Sequence, residues 1–122
     1  MPKKENFVIN RLKSIRYAFT GAWLLLKTEA SIKIQFVIAI LITAAGFYFN
    51  ISTTEWMIQI LALGIVMSIE GLNTAIEAIA DFIHPEHHTK IGFLKDVAAG
   101  AVFIASLAAC SVGLIIYLPK IF

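Results

Sequence analysis

With 122 residues, 59% of them hydrophobic, and a mean hydropathy of +0.83, the chain reads as one membrane domain with no separate soluble module, and it cannot hold a nucleotide-binding fold of the usual size. Ten basic and eight acidic residues leave a net charge of only +2, and no nucleic-acid partner is expected. A single cysteine, Cys110, excludes a disulfide framework and a cysteine-based metal site, and reads as a small helix-packing residue.

Residues 1–30 predict an amphipathic helix. Val8, Leu12, Ile15, Phe19, Ala22 or Trp23, and Leu26 recur at helical spacing, while Lys13, Arg16, Thr20 and Lys27 take another face, an arrangement suited to lying in the membrane interface. A solvated basic tail is the competing reading, which the regularity of the apolar face disfavours. No cleavable signal is expected, because no small-residue cleavage site punctuates the first long apolar stretch.

Three apolar stretches follow, at 34–49, 56–80 and 97–118, long enough to be membrane spans. A short polar turn at 50–55 joins the first two, and a longer loop at 82–96, carrying Pro85 and Gly92, joins the second to the third. The expected fold is therefore all-α: an interfacial helix and three transmembrane helices. Ala101, Ala105, Ala109 and Gly113 form a small-residue strip that lets another helix approach closely. Three spans shield a polar stripe incompletely, so an oligomer is expected.

Charge sets the orientation. Lys3, Lys4, Arg11, Lys13, Arg16, Lys27 and Lys33 precede the first span, Lys90 and Lys95 lie in the second loop, and Lys120 alone lies on the other side. The N-terminus and the 82–96 loop are thus expected to face the cytoplasm.

Within the second span, Glu70-Gly-Leu-Asn73-Thr-Ala-Ile-Glu77-Ala-Ile-Ala-Asp81 places three acids and an amide in an apolar segment. At about 100° per residue, positions 70, 73, 77 and 81 fall within roughly 80° of one another, along a stripe about 16 Å long. A carboxylate at membrane depth costs roughly 2.5 to 3.5 kcal/mol unless it meets a partner, a metal or water, so the stripe is a candidate site. Glu70 suits a general base or a proton carrier. Asn73 is either helix-helix glue or a holder of a hydroxyl or phosphate. Glu77 is either half of an interfacial ion pair or a cation ligand, and Asp81 either caps the cytoplasmic end or joins the site.

Glu29 is the last acid before the membrane. It is either a surface glutamate or, if its helix folds against the second span, the second carboxylate beside Glu77 for a hard cation such as Mg²⁺. Lys95-Asp96 is read as opening the third span's helix, whose first amides with the lysine suit a phosphate; a snorkelling lysine is the alternative. His84, His87 and His88 with Glu86 are read as a loop over a nucleotide rather than a structural zinc site. No G-x-x-x-x-G-K-[ST], protein-kinase signature, nucleophile elbow or H-E-x-x-H is present, so any phosphate chemistry must use another design.

Taken together, these residues resemble the small integral-membrane bacterial diacylglycerol kinases and their undecaprenol kinase relatives, along essentially the whole chain. The matching elements are Ser14-x-x-Tyr17-Ala18-x-x-Gly21, Glu29-Ala30, Glu70-x-Leu72-Asn73-Thr74-Ala75-Ile76-Glu77-x-x-x-Asp81, Pro85-Glu86-x-His88, and Lys95-Asp96-x-Ala98-Ala99-Gly100-Ala101-Val102. The resemblance implies a homotrimer of the inner membrane with sites shared between subunits, moving the γ-phosphate of MgATP to the primary hydroxyl of a membrane lipid. It implies Glu70 as the base with Asn73 beside it, and Glu29 and Glu77 as ligands of the nucleotide-bound Mg²⁺. Tyr17, Glu86, His87, His88, Lys95 and Asp96 are implied as nucleotide contacts.

Lys33, Gln35 and His87 depart from residues common in the family, and Asn10-Arg11 leaves unplaced an arginine often found there. Diacylglycerol is taken first as acceptor, with undecaprenol the alternative. A small proton-coupled transporter using Glu70, and a membrane scaffold held by the small-residue strip, are the readings from other classes.

Overall fold

A computed structural model describes residues 6–86 and 88–122, so Lys3, Lys4 and His87 lie outside the described residues. Four helices run in order: α1 (Phe7–Thr28), α2 (Ala30–Tyr48), α3 (Thr53–Ile83) and α4 (Thr89–Ile121). The last three are each long and apolar enough to cross a membrane, and the expected all-α architecture is the one observed.

Local chemistry fixes each boundary. The Asn6 side chain accepts the Val8 N–H at 3.0 Å and starts α1. Glu29 leaves the helical region (φ −96°, ψ 117°) and separates α1 from α2, yet its N–H still bonds the Leu25 carbonyl and its carbonyl still accepts from Lys33, both at 3.0 Å. One residue thereby turns the chain from the interfacial helix into the first span without stranding backbone groups. At the other end of α2, the Ile51 N–H reaches the Gly46 carbonyl (3.1 Å) and the Asn50 N–H reaches Phe47 (3.3 Å), with Asn50 at φ 52°. This is a Schellman stop, which asparagine tolerates better than most side chains. Gly46 is required there: a Cβ would come 2.6 Å from the Trp56 ring.

Ser52 and Glu55 start α3 with reciprocal capping bonds of 3.1 and 2.9 Å. The His88 Nδ1 accepts the Lys90 N–H at 3.1 Å and starts α4. Because α3 runs on to Ile83 and α4 begins at Thr89, the loop expected over 82–96 shrinks to 84–88. Lys95 and Asp96 therefore sit well inside α4, and the free amides of that helix start are not at Lys95. The apolar stretches mark the lipid-facing core of each helix, while the caps, which hydropathy does not register, set its ends.

Packing between α3 and α4 dominates the fold. The buried residues of α3 are Gln59, Val66, Asn73 and Ala80, a seven-residue repeat that keeps one face against its neighbour. On α4 the buried residues are Ala98, Ala105, Ile116 and Tyr117. Of the small-residue strip, Ala105 is buried and Ala109 and Gly113 are partly so, while Ala101 is exposed. At the end bearing the 50–55 turn, the Tyr117 hydroxyl meets Gln59 Oε1 at 2.5 Å and the Ile42 carbonyl at 3.2 Å, tying three helices together. Lys120 donates to Glu55 at 3.1 Å beside it.

Candidate active site

Two polar residues lie on the buried seam of α3, and they differ in how they are satisfied. Gln59 is 4% exposed and bonded through both ends of its amide, to Tyr117 and, through Nε2 at 3.4 Å, to the Ile42 carbonyl. Asn73 is 9% exposed; its Nδ2 donates to Glu77 Oε1 at 3.2 Å, and its Oδ1 is buried with no partner among the described residues. An unpaired buried acceptor is costly, which singles out Asn73 on the seam.

Glu70 lies one turn before Asn73, half-buried, with its own carbonyl accepting from the Thr74 hydroxyl at 3.1 Å. Among the described residues its carboxylate has no hydrogen bond or ion pair. Glu77 is exposed and spends one oxygen on Asn73. The helical spacing puts these residues on one stripe, and the structure grades it from a half-buried carboxylate through a buried amide to an exposed carboxylate.

The end of α1 reaches this stripe. Leu25 packs so tightly on Gly71 that a Cβ on the glycine would lie 2.9 Å from Leu25 Cδ1. Glu29 follows one turn later, half-buried, with no side-chain capping bond. Glu29 and Glu77 make no direct bond to each other, and among the described residues no group of three or more histidine, cysteine, aspartate or glutamate side chains gathers at metal-binding distance.

Beyond Asp81 the stripe ends in a polar cleft of about 220 Å³ lined by Asp81, His84, Pro85, Glu86, His88, Ile91, Gly92 and Lys95. The structure thereby brings Glu86, His88 and Lys95 together. His84 Nδ1 donates to the Glu86 carbonyl at 2.7 Å, and its ring lies 5.1 Å from that of His88. Since His88 Nδ1 accepts from Lys90, its Nε2 carries the proton and is left as a donor. Tyr17, 69% exposed on α1, and Asp96, exposed on α4, make no bond to the other candidates among the described residues.

The sequence reading puts His84 in a loop over a nucleotide and leaves Asp81 between a helix cap and a member of the site; the structure sets both in this one cleft. Asp81 forms an ion pair with Lys95 across the loop. Its sequence distance from the lysine hid that contact.

Comparison with known proteins agrees with the arrangement. The family described as prokaryotic diacylglycerol kinase matches residues 16–117. The chain is 40% identical over 114 residues to an undecaprenol kinase of Bacillus subtilis, covering 93% of both chains. It is 31% identical over 113 residues to a diacylglycerol kinase of Synechocystis, covering 92% of this chain and 65% of that one. It is also 31% identical over 101 residues to a diacylglycerol kinase of Escherichia coli, covering 80% of each. The match takes in the carboxylate stripe, the loop and the start of α4 together, on three helices able to span a membrane: the chain is a multi-pass membrane protein belonging to the prokaryotic diacylglycerol kinase family.

Proposed function

We propose that the chain is an ATP-dependent lipid kinase that phosphorylates the primary hydroxyl of a membrane lipid alcohol at the cytoplasmic face of the inner membrane. The observation that carries this reading is the half-buried carboxylate of Glu70, which has no hydrogen bond or ion pair among the described residues, one turn from the buried amide of Asn73. A lipid hydroxyl brought against that carboxylate can give up its proton to it.

In this reading the acceptor oxygen attacks the γ-phosphorus of ATP, and the bond from that phosphorus to the β,γ-bridging oxygen breaks. ADP leaves and the hydroxyl proton passes to Glu70. Asn73 orients the acceptor. Lys95 holds a phosphate by charge, and His84, Glu86 and His88, with His87, Tyr17 and Asp96 as further contacts, surround the nucleotide. The protein's share is positioning and charge, as phosphoryl transfer requires.

The donor set fits Mg²⁺, which is held by one or two carboxylates plus substrate phosphates rather than by an all-protein cage. Among the described residues Glu77 keeps one carboxylate oxygen uncommitted, and Glu29 makes no side-chain bond. These two residues would hold the ion, which supplies charge neutralisation on the phosphates.

Little of the span surface is buried within one chain: 11%, 11% and 17% of the three apolar windows. Lipid or further copies must cover the rest, and the proposed assembly is a homotrimer with sites shared between subunits. Diacylglycerol was taken first as acceptor, but the 40% identical relative gives undecaprenol equal support. The test is purified protein in mixed micelles with labelled ATP and Mg²⁺, offering each lipid separately. Label in neither lipid overturns the kinase reading.

A further inference from the structure

Lys95, the lysine of the nucleotide cleft, already has an anion on it. Its ammonium donates to Asp81 Oδ1, joining the last turns of α3 to the second turn of α4 across the 84–88 loop. Both groups line the polar cleft that also holds His84, Glu86 and His88. We propose that Asp81 is a resident stand-in for a nucleotide phosphate: it occupies Lys95 in the empty site, and nucleotide binding is an exchange in which a phosphate oxygen displaces its carboxylate. This deepens the kinase reading and rests on Lys95 being a phosphate contact.

The chemistry of exchange is favourable on three counts. A carboxylate oxygen and a phosphate oxygen present the same kind of charged acceptor to an ammonium, so the swap costs Lys95 no donor geometry. Within one chain the lysine and aspartate side chains are 36% and 61% exposed, and pairs so exposed are weakly held. The freed carboxylate is not pushed into the chain's interior, because Asp81 is already exposed on the last turns of α3.

The device also filters anions. A lone cation in a loop cleft would collect any small anion. Asp81 and Glu86 both line the cleft, so a small anion must displace one carboxylate and meet a second, whereas a nucleotide has further contacts to set against that cost. Asp81 is thus a positioning residue that sets nucleotide affinity through Lys95.

Its test is a double-mutant cycle on the full chain in detergent micelles, reading MgATP and inorganic phosphate binding by calorimetry. Asp81→Asn and Asp81→Ser are used in parallel, so that a fold defect in one leaves the other to report. Each should tighten MgATP by about two- to fivefold, the range an exposed ion pair can supply, and should let inorganic phosphate bind measurably. Lys95→Met should weaken MgATP by about tenfold or more, and adding Asp81→Asn to it should change nothing further.

Weaker MgATP binding in both Asp81 variants, or the same tightening with and without Lys95, overturns the exchange while leaving the kinase reading intact. Unchanged MgATP affinity in Lys95→Met removes Lys95 from the nucleotide site and takes the exchange with it.

Discussion

Gln59 and Asn73 occupy the same buried face of α3, about 21 Å apart along its axis, and only Gln59 has both ends of its amide bonded within the chain. Gln59 closes a three-helix clamp with Tyr117 and Ile42, whereas Asn73 lies beside Glu70 with a buried acceptor that has no partner among the described residues. Two amides in equivalent seam positions therefore have separable roles. Gln59→Leu should cost about 1 to 2 kcal/mol, seen as a lower Tm, while activity per folded molecule stays within about twofold. Asn73→Leu should leave Tm near wild type and lower kcat by about a hundredfold or more. The reverse pattern would make Asn73 the structural amide.

Glu70→Gln should lower phosphoryl transfer by about a hundredfold or more while leaving MgATP affinity nearly intact, since only the proton acceptor is removed. Steady-state rates with a parallel nucleotide-binding measurement check this. Retention of more than about a tenth of the wild-type rate would remove Glu70 from the role of base. The same variant separates the readings: a transporter would keep no ATP requirement, and a scaffold would notice only a change in stability.

Much of the site is legible in the sequence because it lies on one helix, where a residue's face follows from its number. Glu70, Asn73 and Glu77 needed only the helical period. The Asp81 pair with Lys95 and the Tyr117 bonds to Gln59 and Ile42 depend on how α3 and α4 align, and periodicity within one helix does not carry that register. The loop was expected at 82–96 because polar residues and Pro85 mark it, but His88 caps a helix at Thr89 and carries Lys95 into its interior. Gly71 gave no signal of its contact with Leu25, since a helical glycine at 71 reads the same with or without a neighbour.

Glu29→Gln and Glu77→Gln should each raise the Mg²⁺ concentration needed for half-maximal rate, because each takes a charged oxygen from the cation. Titrating Mg²⁺ at fixed ATP reads the shift. Unchanged Mg²⁺ dependence in both variants would sink the assignment of these carboxylates as the metal ligands.

Sharing of sites between subunits is tested by mixing inactive chains. Glu29→Gln and Glu70→Gln chains, unfolded together and reassembled, should regain part of the wild-type activity, because some sites then draw Glu29 and Glu70 from different intact copies. If the mixture stays inactive although each variant assembles with wild type, the site lies within one chain, as the packing of Leu25 on Gly71 would permit.

The acceptor lipid turns on how much of its tail is read. Apolar contacts discriminate by only about 1 to 3 kcal/mol per group, and the walls facing the spans are overwhelmingly aliphatic, so both diacylglycerol and undecaprenol should be phosphorylated. Gln35 is a polar member of those walls: its Oε1 is buried without a partner among the described residues, in a largely apolar cavity with Leu63, Val66, Met67 and Ser106. Val66 lies one turn from Glu70, so a change at Gln35 is felt near the acceptor end rather than along the tail. Gln35→His should therefore change the ratio of catalytic efficiencies for the two lipids, by several-fold, with little effect on the KM for ATP. Competition between the two lipids in the same micelles measures it. An unchanged ratio would remove Gln35 from acceptor choice, and a wild-type preference above about a hundredfold for either lipid would overturn the expectation of a loosely read tail.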